Sequence, residues 1–266
     1  MAHGAEIELR ARGYSVLVAN SLNNDELALQ QIRHMHQRRV GALLVSAGDE
    51  SDGPISEAIS RSPVPTTLID RRLDAPNASH VLSHHKAGTT AAAEHLIALG
   101  HRRIALIDGL PNVLPAELRA KALRRVAAKH SHVRVTVHNG TFSQEHGDRT
   151  VSELFTRDEP PTALIAGSNQ ILVGVFAALD RMALQMPDDV SLVTCDSLHL
   201  AEFLTPRLGV IWRYAQMLGM RAAHGMLEHL ESGEPRDVRL PTEYRPAGSA
   251  GAPRAVDSAQ GGARTV

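Results

Sequence analysis

The sequence predicts an α/β chain of two doubly wound parallel-sheet lobes, and three observations lead there. In the stretch Pro160 to Ser197, an apolar run (Thr162 to Ala166) meets the polar turn Gly167, Ser168 and Asn169, which opens a long amphipathic helix. A second apolar run, Val190 to Cys195, follows and ends on Asp196. Continuous apolar strands joined through a helix belong to a parallel sheet covered on both faces, and right-handed crossover sets their carboxyl ends on one edge. The second observation is that strand and helix patterns alternate along the whole chain. The third is its length, 266 residues, at the upper end of what one hydrophobic core serves.

Taken in order, residues 2–12 read as a helix tail stopped by Gly13, and Tyr14 to Ala19 as a strand. A helix from Asp25 to His36 carries Ala28, Ile32 and Met35 on one face, and Gly41 to Ser46 is the next strand. After a polar loop, a short helix near Pro54 to Ser60 leads to the apolar strand Pro65 to Ile69, which breaks off at Asp70, Arg71 and Arg72. A helix from Lys86 to Leu99 is stopped by Gly100, where the first lobe boundary is placed, and Ile104 to Ile107 is a fresh strand. Helix 115–129, strand 133–137 and helix 143–156 precede the Pro160 unit. A short turn at 198–204, strand 208–212 and helix 215–231 follow it, the last with Gly219 and Ala223 allowing close approach. Beyond Ser249 the chain is small, polar and rich in Gly and Ala, and a disordered tail is expected over 249–266.

Composition narrows the function. A net charge of -1 with interleaved signs gives no basic stripe for a phosphate backbone. No apolar run approaches a membrane span, and no export signal is visible, so a cytoplasmic location is expected. Cys195 is the single cysteine and reads as a small buried apolar residue. The 15 histidines, among them His34, His36, His80, His84 and His85, form no set at known ligand spacing, so neither a metal nor a cofactor is expected. The catalytic signatures G-x-S-x-G, G-x-G-x-x-G after a strand, and G-x-x-x-x-G-K-[ST] do not occur, so an enzyme on this fold is the weaker alternative.

Eight stretches in order, from ELRARGYSVLVANS through RRVGALLVS, PTTLIDRRL, AAAEHLIALGHRRIALIDG, PPTALIAGSNQ, MPDDVSLVTCDS and AEFLTPRL to RLPTEYRPAGS, resemble the effector-binding core of the lactose-repressor (LacI/GalR) family of transcription regulators. The resemblance covers nearly the whole chain. It implies two lobes of the type I periplasmic-binding-protein kind, joined by three crossovers near Gly100, Arg213 and Arg236. The lobes would be 1–100 plus 214–235, and 101–213 plus 236–248. It further implies a homodimer, a small-molecule effector between the lobes, and DNA contact only through a helix-turn-helix head that these residues do not include. The family's first strand, expected between Tyr14–Ala19 and Gly41–Ser46, is likewise not among them, so the first lobe is expected to be incomplete, with Met1 a misplaced start, the favoured reading, or the chain a fragment or decayed copy. A transport-type sugar-binding protein is the alternative within the fold.

In open α/β sheets ligands sit outside the carboxyl ends of the strands. That edge and the resemblance together single out Asp70, Arg71, Arg119, Asn169, Gln170, Asp196, Trp212 and Arg213 as effector-binding candidates, with His84 and His85 at the rim. Carboxylates accept from vicinal hydroxyls, the Arg fork and Asn amide match diol geometry, and Trp offers an apolar face to a sugar ring. Duller roles exist: Asp70 and Arg71 as a solvated ionic rim, Asn169 as a helix cap, Asp196 as a turn residue. His84 and His85, Gln170 and Arg213 each replace a residue of the family pattern with one that is less anionic or more cationic. The expected effector is therefore a sugar, with a sugar acid or sugar phosphate preferred. Ala183 stands where relatives place a helix-ending Gly.

Overall fold

The computed structural model describes residues 1–22, 24–46, 53–196 and 203–254. In chain order the elements are α1 (Ala2–Arg10), α2 (Asp25–Gln37), β1 (Leu43–Val45), α3 (Pro54–Ser60), β2 (Thr66–Ile69), β3 (Ala78–Ser83), α4 (His85–Ala98), β4 (Arg103–Asp108) and α5 (Leu114–Ala127). There follow β5 (Arg134–Asn139), α6 (Gln144–Phe155), β6 (Ala163–Ala166), α7 (Asn169–Arg181), β7 (Ser191–Cys195), β8 (Gly209–Arg213), α8 (Ala215–Ser232), β9 (Asp237–Leu240) and β10 (Thr242–Arg245). They build two sheets, β1-β2-β3-β9 and β10-β8-β7-β6-β4-β5. Every pairing is parallel except β10 on β8.

The second sheet is covered on both faces, as the apolar runs of its inner strands β4, β6, β7 and β8 require. Leu164, Leu192 and Val210 pack with Ile171, Leu172 and Val175 of α7 on one side. Ile104, Leu106, Ile165 and Ile211 pack with Leu123 of α5 and with Ala92, Ala93 and Leu96 of α4 on the other. In the first lobe, α1 lies against α8 so closely that a Cβ on Gly219 would stand 2.0 Å from the Met1 carbonyl oxygen. The small residues read from the sequence thus set that helix contact.

Several boundaries differ from the sequence reading. Tyr14–Ala19 is no strand: Leu17 and Val18 are 53% and 75% exposed, and a cavity of about 600 Å³ lined by Leu9, Val16, Ile32, Leu43 and Met226 lies between this segment and β1. A β-prone run forms a strand only where a neighbour exchanges backbone hydrogen bonds with it. Helix α4 packs on the second sheet, so the first crossover falls at His84 rather than at Gly100. Strand β9 pairs with β3 in the first sheet, which moves the third crossover from Arg236 to Pro241. The second lies between β8, which ends at Arg213, and α8, which begins at Ala215.

Ser249 does not open a tail. It is fully buried, its Oγ donates to the Leu192 carbonyl at 2.5 Å and accepts from Gly209 N at 2.9 Å, and its backbone bonds Leu192 and Arg207. His101 anchors the next residues, with Nε2 2.9 Å from both the Gly251 carbonyl and Ser191 Oγ, and Nδ1 2.9 Å from Thr162 Oγ1. The turn expected at 198–204 lies mostly, and the tail at 255–266 wholly, outside the described residues.

Ala183 takes φ +55°, a left-handed backbone that costs a Cβ-bearing residue roughly 1–2 kcal/mol. Ala183→Gly is expected to raise stability by about 1 kcal/mol in urea unfolding, after the greater freedom of glycine in the unfolded chain is subtracted. No gain would show the site to be unstrained.

Candidate functional site

The strands of both sheets end in polar residues at the edge where the lobes face each other. At the end of β2, Asp70 is 2% exposed and holds φ +49°. Its Oδ1 accepts from Ser83 N at 2.5 Å, and its Oδ2 accepts from Ser83 Oγ at 3.0 Å and from Arg213 Nη1 at 2.6 Å. At the end of β7, Asp196 holds φ +79° and its Oδ1 accepts from Arg213 Nε at 2.5 Å. One guanidinium therefore joins carboxylates from both lobes. Burial pushes the Asp70 carboxyl up, but its contact with His85 and the charge of Arg213 outweigh this and hold it well below the usual carboxylate range. Its pairing stabilises the fold above the ordinary Asp pKa and is lost only as pH falls through the depressed value.

A second ion pair lies deeper. Asp108, closing β4, is fully buried and accepts from Arg119 Nε at 2.8 Å, Arg119 Nη2 at 2.6 Å and Gly109 N at 2.8 Å. This two-pronged geometry is the strong form of an Arg–carboxylate contact. Burial alone would lower the Arg119 guanidinium; Asp108 outweighs it and raises it. Asp108 was not among the sequence candidates, although it ends an apolar strand on a carboxylate as Asp70 and Asp196 do. Ser83, closing β3, was missed because Ser79, His80 and Ser83 hide that strand's apolar pattern.

Ser168 caps α7, its Oγ accepting from Ile171 N at 3.2 Å, so Asn169 is not the cap. Asn169 Oδ1 is buried with no hydrogen-bond partner among the described residues, an acceptor awaiting a donor. Gln170 departs from the expectation. It is exposed, and its Oε1 accepts from Gln144 Nε2 at 3.2 Å on the α6 side, because successive helix residues point about 100° apart. Arg71 turns back, donating from Nη1 to the Asp70 carbonyl at 2.8 Å. Trp212 packs beside the core under α7, with the Arg245 guanidinium 4.1 Å from its ring centre, so one ring face is already covered.

His84 is exposed and uses its backbone at the crossover, donating to the Leu240 carbonyl at 2.7 Å. His85 is buried, with Nε2 3.5 Å from Asp70 Oδ1, and burial lowers its pKa. Cys195 is buried with its thiol pushed up to about 12 by burial, an inert side chain at neutral pH. Among the described residues no three His, Cys, Asp or Glu side chains converge as a metal site, and no helix is long and apolar enough to cross a membrane.

The expectation of an electropositive cleft is not met at its strongest positions. Arg119 is matched by Asp108, and Arg213 by Asp70 and Asp196. What remains at these positions is matched arginines with one carboxylate in excess, a hydrogen-bonding edge suited to hydroxyl groups.

The family model for a periplasmic binding protein-like domain matches residues 93–250. The chain is 28% identical over 231 residues to the HTH-type transcriptional repressor PurR of Haemophilus influenzae, covering 86% of this chain and 68% of that protein. It is 28% identical over 244 residues to the ribose operon repressor of Escherichia coli, covering 90% of this chain and 73% of the repressor. Among solved structures, one described as a ribose operon repressor from Burkholderia thailandensis superposes with a TM-score of 0.81 at 28% identity, covering 92% of each chain. A LacI-family regulator from Enterococcus faecium with bound ribose gives a TM-score of 0.80, covering 94% of this chain and 92% of that one; at 19% identity the likeness is one of fold.

Proposed function

The chain belongs to the periplasmic binding protein-like family, and from that premise we propose that the edge built by Asp70, Asp108, Arg119, Asn169, Asp196 and Arg213 binds a neutral sugar. The chain is the effector-binding core of a LacI-family regulator, in keeping with the repressors it matches over most of its length. The observation that carries the sugar reading is the buried, unpartnered Asn169 Oδ1, at the same sheet edge as the Asp196–Arg213 and Asp108–Arg119 pairs. A hydroxyl group, donor and acceptor at once, satisfies such an acceptor without adding charge. A sugar acid or phosphate would set its charge against arginines already neutralised, and beside Asp196.

The relatives are repressors, which supports binding rather than turnover. In our reading the chain works in the cytoplasm as a homodimer, and reaches DNA through a helix-turn-helix head outside residues 1–266. D-ribose is the first probe, since the Escherichia coli relative is a ribose operon repressor and the Enterococcus structure holds ribose. A thermal-shift panel of D-ribose, other neutral pentoses and hexoses, D-ribonate and D-ribose 5-phosphate tests the proposal. A neutral sugar should stabilise the chain more than the acid or phosphate at equal concentration. The opposite order would overturn the neutral-effector reading.

A further inference from the structure

The three crossovers lie side by side, and one side chain among them reaches both lobes. The chain passes from the first sheet to α4 at His84, returns from β8 to α8 at Tyr214, and passes from β9 to β10 at Pro241. Two are stitched together: His84 N donates to the Leu240 carbonyl at 2.7 Å, Thr242 Oγ1 donates to the His84 carbonyl at 2.8 Å, and Gly88 N donates to Thr242 Oγ1 at 3.1 Å. The third joins them through the backbone register of Arg213 opposite Thr242. Arg213 then sends its guanidinium away from this seam, to Asp70 of the first lobe and Asp196 of the second.

Both aspartates hold left-handed backbone, at φ +49° and +79°. Left-handed non-glycine residues persist where the surroundings over-determine them, and they concentrate at functional and switching positions. The Asp70 carboxylate is fixed as well: it takes two further donors from Ser83, so its pairing with Arg213 is braced from within its own lobe. Arg213 side-chain exposure is 18% and that of Asp70 is 2%, a setting in which a charge pair is little weakened by solvent.

We infer that Arg213 is a clasp: a cation carried on a crossover that holds one carboxylate from each lobe, and so sets how far the cleft opens when no effector is bound. Arg is suited to it, since a planar fork can hold two carboxylates at once whereas an ammonium is a point charge. Asp70, braced by Ser83, is thereby a positioning residue for Arg213. This inference does not need the effector to be a sugar; it rests only on the cleft lying between the lobes.

The test is a distance measurement without any ligand. Spin labels at Glu26→Cys on α2 and Glu153→Cys on α6, both exposed positions, report the separation of the lobes, while the buried native Cys195 stays unlabelled. Arg213→Gln is expected to shift the distance distribution to longer and broader values, and Asp70→Asn to do the same. The double variant should go no further than either single, because removing one partner already opens the clasp. Arg213→Lys, keeping the charge without the fork, should lie between and covers the case in which Arg213→Gln does not fold. An unchanged distance in folded variants, whatever their melting temperature, would overturn the clasp, as would additive shifts in the double variant.

Discussion

Asp108→Ala is expected to destabilise the chain by about 3–5 kcal/mol, the range for removing one partner of a buried ion pair. Asp108 is fully buried and Arg119 is 4% exposed, so the substitution leaves a guanidinium inside the second lobe with neither its carboxylate nor water. It also strips the Gly109 N–H of its acceptor. Urea unfolding should show a lower midpoint with an unchanged slope, the signature of lost stability rather than of an altered unfolded state. Asp108→Asn, which keeps an acceptor for one prong of Arg119, should lose less. A cost below about 1 kcal/mol would place Arg119 in contact with solvent.

The second large effect is on binding. Asp196→Ala removes a carboxylate that is 25% exposed and has one oxygen engaged by Arg213. A hydrogen bond to a charged group contributes about 1.5–3 kcal/mol, so sugar affinity should fall about 10- to 100-fold by calorimetry. Thermal stability should change much less than in Asp108→Ala, because Arg213 keeps Asp70 as a partner. Unchanged affinity in this variant would remove Asp196 from the site.

The second sheet is legible at β4, β6, β7 and β8, whose strands are largely unbroken apolar runs, and not at β10, whose TEYR carries no such pattern. Asp70, Asn169, Asp196 and Arg213 are singled out by one rule, polar residues at strand carboxyl ends, aided by resemblance, and Arg119, on α5, by the resemblance alone. The rule also covers Asp108, which was left out because its partner, 11 residues away on α5, cannot be seen from sequence. Strand β3 escaped because a buried Ser79 serves as a bonding group for Arg236 N and His229, so its polarity marks an interior contact rather than a surface. The crossovers moved because lobe membership is decided by packing. Helix α4 follows a first-lobe strand, yet Ala92, Ala93 and Leu96 fit only the second sheet, where a Cβ on Gly88 would strike Ile211. Tyr14–Ala19 carries a strand's composition without a strand's partner, and composition alone cannot supply one.

The charge of the cleft was misread for a related reason. Counting Arg213 as an added cation ignored that a lone guanidinium this deeply placed calls for a carboxylate, and here it has two. Two carboxylates on one guanidinium leave a negative charge in excess, which disfavours an anionic effector and suits hydroxyl groups.

The most direct test of the whole account is titration calorimetry of D-ribose and a panel of neutral sugars into the wild-type chain and into Asn169→Ala. One neutral sugar should bind per chain, with affinity weakened in the variant by loss of the buried amide acceptor. Equal affinity in Asn169→Ala, or heat only from the phosphorylated or acidic forms, would contradict it.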